Sequence, residues 1–191
     1  MSFKEVMGIL SVAIMAAANA TYIWQTTGTD VQPHPFSWFL WGFVTGVVYL
    51  VQVHERGGPG TWVVGFTSII CFLIGAISFF RHRSRFTKFD WGALIAGLLV
   101  FAFYLASRHP TQSAILATAT DVIGYASTIR KGWAEPHKDS VTLFALNSAK
   151  FVPSLFALNS YSLATWLYPA TLAAVNGLHA AMLLWRRRAP S

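Results

Sequence analysis

Residues 22–46 read YIWQTTGTDVQPHPFSWFLWGFVTG, and residues 125–149 read YASTIRKGWAEPHKDSVTLFALNSA. Set 103 residues apart, the two stretches align Tyr22, Pro33, His34, Ser37 and Leu40 with Tyr125, Pro136, His137, Ser140 and Leu143. Two unrelated segments of average composition share roughly one or two identities over this length. Several mismatches are alike in kind: Trp41/Phe144, Gly42/Ala145, Thr45/Ser148 and Gly46/Ala149. One residue of slip then aligns Thr61-Trp62 with Thr165-Trp166, Thr67 with Thr171 and Arg83 with Arg187. The chain carries an internal repeat, and the repeated units are apolar. Repeats of that kind are how many transporters build a site between two halves.

Composition supports a membrane reading. Of 191 residues, 54% are hydrophobic and 11% charged, against about 25% charged in a soluble domain. Fifteen Phe and eight Trp suit lipid-facing surfaces and interfacial belts. The net charge of +7 lies in short basic clusters between apolar runs, the pattern of membrane topology and not of nucleic-acid binding. With Cys71 the single cysteine, no intrachain disulfide can form.

Seven runs are long enough for the ~20 residues that a bilayer crossing needs: 5–24, 36–53, 60–80, 90–107, 111–129, 140–158 and 162–185. Short loops join them, and helices are the open-chain solution in hydrocarbon. Lys4 followed by an apolar run and Ala18-Asn19-Ala20 also resembles a cleavable signal peptide. Removing it would leave the first repeat incomplete, so the segment is read as the first helix. With the N-terminus outside, the inner segments hold Arg81, Arg83, Arg85, Lys88, Arg130, Lys131, Lys138 and Arg186 to Arg188, and the outer ones Lys4, Arg56 and Arg108. That asymmetry predicts an outside N-terminus and a cytoplasmic C-terminus in a cell membrane. The repeat shift carries helix 1 onto helix 5, an even number of crossings, so the copies run parallel. The expected fold is therefore all-α and polytopic: a first three-helix repeat (1–83), a linker helix (84–108), and a second three-helix repeat with a basic tail (109–191).

Parallel three-helix repeats, a linking fourth helix and a proline in the first loop resemble the SWEET and PQ-loop proteins. The loops here carry Pro33-His34 and Pro136-His137 in place of Pro-Gln. The chain also resembles bacterial seven-helix membrane proteins with a Pro-His-x-x-Ser-Trp style first loop. The resemblance implies two triple-helix bundles around a central cavity and alternating access by rocking at helix prolines. It also implies substrate contact by an Asn on helix 3 and another on helix 7. Asn176 suits the helix 7 position; its repeat partner on helix 3 is Phe72. Pro153 suits a helix 6 hinge.

Residues out of keeping with apolar runs mark the candidate site. Lys150 lies ~16 Å from the inner end of helix 6 and ~12 Å from the outer one at 1.5 Å per residue. A central lysine costs ~2.5–3.5 kcal/mol on insertion scales, so it normally faces a cavity or a partner. Asp121, ~15 Å into helix 5, is the expected partner, either as a solute- or proton-coupled ion pair or as a salt bridge joining helices 5 and 6. Asn147, three residues before Lys150, shares its face. Pro153 frees the carbonyl of Ala149, which lines a cavity or finds a neighbouring donor. Asn176 and His179 share a face of helix 7, with His179 expected nearer the interface, and Asn19 is the comparable polar residue of helix 1. Tyr22 and Tyr125 fall where a gate would be, or serve as interfacial anchors. The expected solute-binding set is Asn19, Asp121, Asn147, Lys150 and Asn176, with Tyr22, Tyr125 and Pro153 as gate or hinge.

No phosphate-binding Gly loop, HExxH or GxSxG motif is present, and the six histidines are scattered. The chain is accordingly expected to be no enzyme and to take no cofactor, metal or nucleic acid. Its expected partners are the lipid bilayer and a small solute. Two repeats can enclose a cavity without a second copy, which leaves a homo-oligomer open. A solute transporter is the leading expectation and a non-transporting receptor or assembly factor the alternative. A retinal photoreceptor fits poorly, because opsins carry the retinal lysine on the last helix and Lys150 is on the sixth.

Overall fold

A computed structural model of the chain describes residues 1–28, 35–81, 88–107 and 109–188. Among them are seven α-helices and no strand: α1 (Phe3–Gly28), α2 (Pro35–His54), α3 (Trp62–Arg81), α4 (Lys88–Ser107), α5 (Pro110–Ala134), α6 (Val141–Phe156) and α7 (Leu163–Arg188). Short 3-10 turns at Gly58–Thr61 and Pro136–Lys138 precede α3 and α6. Pro33 and His34, the first copy of the repeated dipeptide, lie outside the described residues, as does Arg83. In the second copy Pro136 and His137 form the 3-10 turn, and Ser140 caps α6 by accepting from the Leu143 N–H at 3.2 Å. At the other terminus, Ser2 and Glu5 cap α1 reciprocally at 3.3 and 2.7 Å.

Among the described residues four stretches are long and apolar enough to cross a membrane: Phe3–Trp24, Pro35–His54, Gly58–Phe80 and Leu163–Arg188. The runs for α5 and α6 fall short of that measure, and the apolar stretch found among the described residues of α4 is Leu94–Ser107. The 16 residues of α6 span ~24 Å, less than the ~30 Å hydrocarbon core, and α5 is rich in Thr and Ser. Large apolar side chains such as Ile69, Leu99, Leu105, Ile123 and Leu178 cover the outer faces.

The helices pair in a pattern with two matching halves. α2 packs on α3 and α6 on α7; α1 packs on α3 and across to α6; α5 packs on α7 and across to α2. α4 stands outside this ring, against α2 and α5. Small residues set the close approaches. Ser68 of α3 donates to the Gly42 carbonyl of α2 at 2.8 Å, and Ser148 of α6 donates to the Ala173 carbonyl of α7 at 2.7 Å. α2 is the most enclosed helix, with Val44, Val47, Val48 and Val51 in the main core beside Val63 and Val64 of α3.

One end of the bundle is stitched shut. The Asn159 N–H donates to the Gly57 carbonyl at 2.9 Å, and Ser154 donates to the Gly60 carbonyl at 2.8 Å. Gly58 turns with φ of 68°, a conformation that favours glycine. At Gly60 a Cβ would stand 2.5 Å from the Ser154 carbonyl oxygen, so this contact admits no side chain. Proline chemistry supplies a further tie. Pro169, inside α7, has no N–H to give the Thr165 carbonyl, and Gln52 of α2 donates to that oxygen instead, at 2.7 Å. Replacing Pro169 with Ala restores the intrahelical donor. A double-mutant cycle of Gln52→Leu with Pro169→Ala, measured by thermal unfolding in detergent, is therefore expected to show a coupling of about 0.5–1.5 kcal/mol. Additive effects would mean that Gln52 does not substitute for the missing donor.

Candidate functional site

Beyond the stitched end, the helices part around a cavity of about 460 Å³. Every helix except α4 contributes to its described lining. Deep in it stand Thr67 and Cys71 of α3, Asp121 of α5, Lys150 and Phe151 of α6, and Tyr168 of α7. Toward the end where α1 finishes and α6 begins, the lining passes to Tyr22, Ser37, Trp38, Thr128 and Asp139. No residue of the stitched 54–62 or 154–165 segments belongs to it.

Asn19, Asp121, Asn147, Lys150 and Asn176, the five residues singled out as polar within apolar runs, all line this one cavity, as do Tyr22 and Tyr125. Pro153 does not; it is buried in α6 below the lining. The carbonyl with an outside donor is that of Lys150, which accepts from Ser11 of α1 at 2.5 Å, and Ala149 does not line the cavity.

Asp121 and Lys150 are both buried, at 4% and 3% exposure, yet they do not form the expected pair. Asp121 Oδ2 accepts from the Tyr168 hydroxyl at 2.7 Å, and Lys150 Nζ donates to Thr67 Oγ1 at 3.2 Å with the Phe151 ring 4.9 Å away. The reason is topological: α7 packs against both α5 and α6, which are not themselves a closely packed pair, and so α7 supplies the carboxylate's partner. A salt bridge joining helices 5 and 6 is therefore absent among the described residues. Tyr168, Thr67 and Asp139 escaped notice in the sequence because none is unusual at the end of, or within, an apolar helix. The repeat match of Thr67 with Thr171 was the one available signal for Thr67.

Asn176 is held at both ends of its amide: its Nδ2 donates to the Leu172 carbonyl at 2.8 Å and its Oδ1 accepts from the Tyr125 hydroxyl at 3.1 Å. Asn19 donates to the Met15 carbonyl of its own helix at 2.9 Å. His179, expected near an interface, is instead 2% exposed, its ring 4.2 Å from that of Phe144. Its Nε2 lies 3.4 Å from Asp139 Oδ2, while Nδ1 has no partner among the described residues. Arg187 holds the same turn from behind, donating to the Pro136 and Asp139 carbonyls at 3.0 and 2.6 Å. The repeated Pro-His turn is thus clamped onto the last turns of α7. Across the mouth, Tyr22 and Trp38 lie 5.3 Å apart by ring centroids, as do Trp38 and Trp41.

Among the described residues no group of three or more His, Cys, Asp and Glu side chains is placed to hold a metal. Comparisons of the chain with protein-family models, curated proteins and solved structures return no match.

Cys71 offers a direct check on the single-ended cavity. In vesicles of known orientation, a small charged thiol reagent is expected to label Cys71 from the face bearing Asp139 and not from the stitched face. Equal labelling from both faces would contradict the closure at 54–62 and 154–165.

Proposed function

We propose that this chain is an integral membrane transporter of a small polar solute, working by alternating access at the cavity between two halves. The observation that carries the reading is the cavity itself: a chamber at mid-helix depth, walled by aromatic and apolar side chains with charged and amide groups set among them, bounded by six helices, leading toward one end and stitched shut at the other. A pocket of this size lies in the range that holds small ligands, ~300–1,000 Å³. Charged side chains inside an apolar-faced bundle are costly, and where they face a cavity they mark solute or ion sites.

In this reading all seven helices cross the bilayer as two parallel three-helix repeats, 1–83 and 109–191, joined by the linker 84–108. The matching contacts support it: α1 on α3 and α6 are answered by α5 on α7 and α2, and α4 stands aside. This is the arrangement that a SWEET or PQ-loop likeness implies. The short α6 and the polar α5 are acceptable as spans because both turn polar residues to the shared cavity. The basic residues of the loops and tail favour an outside N-terminus and a cytoplasmic C-terminus in a cell membrane. The cavity then faces the cytoplasm, and the stitched end is the closed outer gate. Tyr22, Trp38 and Tyr125 stand along the way in, and Pro153, beside Ser154 of the outer seal, is placed to act as a hinge.

Uptake by proteoliposomes tests this. A labelled pool of small solutes is expected to show at least one species accumulated by the wild-type protein. Asp121→Asn is expected to lower its initial rate at least tenfold, while Leu178→Ala, on the outer face, leaves it unchanged. Solute-dependent thermal stabilisation without flux would point instead to a receptor.

A further inference from the structure

We propose that the solute carries a single carboxylate, which seats on Lys150 and Asn147. The inference rests on the solute-cavity reading above and narrows it to a chemical class. It follows from which polar groups of the chamber are already satisfied and which are not.

Most of the deep polar lining is engaged within the protein. Asp121 accepts from Tyr168 on Oδ2, its remaining capacity being acceptor only, and Asn176 is held by Leu172 and Tyr125. Thr67 spends its own proton on the Val63 carbonyl at 2.7 Å, which leaves its oxygen to accept from Lys150. Lys150 is different. An ammonium has three N–H donors, and among the described residues only Thr67 accepts from it. The Phe151 ring beside it offers a weak face and no lone pair. Asn147, one turn earlier on the same face of α6, also lines the chamber and makes no side-chain hydrogen bond among the described residues. The unspent capacity of Lys150 is donor capacity on a buried positive charge, and Asn147 adds a neighbouring amide. A ligand carboxylate satisfies both: it accepts from the spare N–H donors of Lys150 with charge assistance and from the Asn147 amide.

The count of charges limits the anion. The described lining holds one cation, Lys150, and two carboxylates, Asp121 and Asp139. With one cation to pair with, a second negative charge on the solute would meet only those carboxylates, which disfavours dianions relative to monoanions. Toward the mouth the walls are Tyr22, Trp38, Trp41 and Phe144, which suits a compact apolar or aromatic remainder. The class is therefore a monocarboxylate of modest size.

Matched pairs decide the point. Purified protein in detergent is titrated with phenyllactate and phenyllactamide, lactate and lactamide, and succinate, with thermal unfolding as the readout. At least one monocarboxylate is expected to raise Tm, with its amide and succinate ineffective. Lys150→Met is expected to weaken that monocarboxylate at least tenfold, and Asn147→Leu several-fold. The proposal is overturned if an amide stabilises as well as its acid, if the carboxylate effect survives Lys150→Met, or if no monocarboxylate of the set shifts Tm. Should Lys150→Met not fold, the acid–amide comparison on the wild-type protein decides alone. Carboxylate binding without flux in proteoliposomes would leave this inference standing and overturn the transporter reading. Flux of a neutral solute, with no carboxylate binding, would do the reverse.

Discussion

Polar groups turned inward by these helices have to find partners inside the bundle, because the outer faces carry apolar side chains and offer none. Much of the architecture follows from that constraint. Ser11 reaches the Lys150 carbonyl, Gln52 the Thr165 carbonyl, Ser148 the Ala173 carbonyl and Tyr168 the Asp121 carboxylate, and each bond joins two different helices. Where such ties are dense, at 54–62 and 154–165, the bundle closes. Where they thin out, the helices separate and the chamber begins. Lys150 stands at that boundary, tied through its carbonyl to α1 and with most of its ammonium left to the chamber.

The helix contacts fall into two matching halves, and the chamber is where the two matched stretches of sequence differ. Lys150 and Asn147 of α6 correspond to Val47 and Val44 of α2, both fully buried in the main core. The difference has a packing cause. α2 is covered by α3, α4, α5 and α7, whereas α6 has no counterpart of α4 against it. One copy of the helix is thus committed to holding the bundle together, and the other is free to carry polar side chains. Both copies still wall the cavity: Asn19, Trp38, Trp41, Thr45 and Thr67 come from the first half, more than the sparse polarity of its sequence suggested.

Much of this was legible in the chain. The seven helices lie close to the apolar runs, and Asn19, Asp121, Asn147, Lys150 and Asn176, which interrupt those runs, do gather at one place, because a polar side chain on an apolar helix has few inward directions to take. Their pairings were not legible. Asp121 and Lys150 sit at similar depth on consecutive helices, which suggested contact, but α7 lies against both and takes the carboxylate. His179 was placed near an interface by counting residues along α7, whereas the Pro-His turn folds over it and buries it. Thr67, Tyr168 and Asp139 are ordinary residues at ordinary positions, and proximity alone marks them.

The sequence by itself determined what depends on spacing along one strand of chain: helix lengths, the 103-residue match, the clustering of basic residues between apolar runs, and the depth of each polar group within its helix. Only the tertiary structure decided what depends on distance between helices, namely which groups meet, which donors stay unspent and which end is shut. Side-chain hydrogen bonds act over about 3 Å, and a helix rotated by one residue turns its side chains 100° away. No pattern read along the chain fixes those rotations; the packing of α1 on α6 and of α7 between α5 and α6 does.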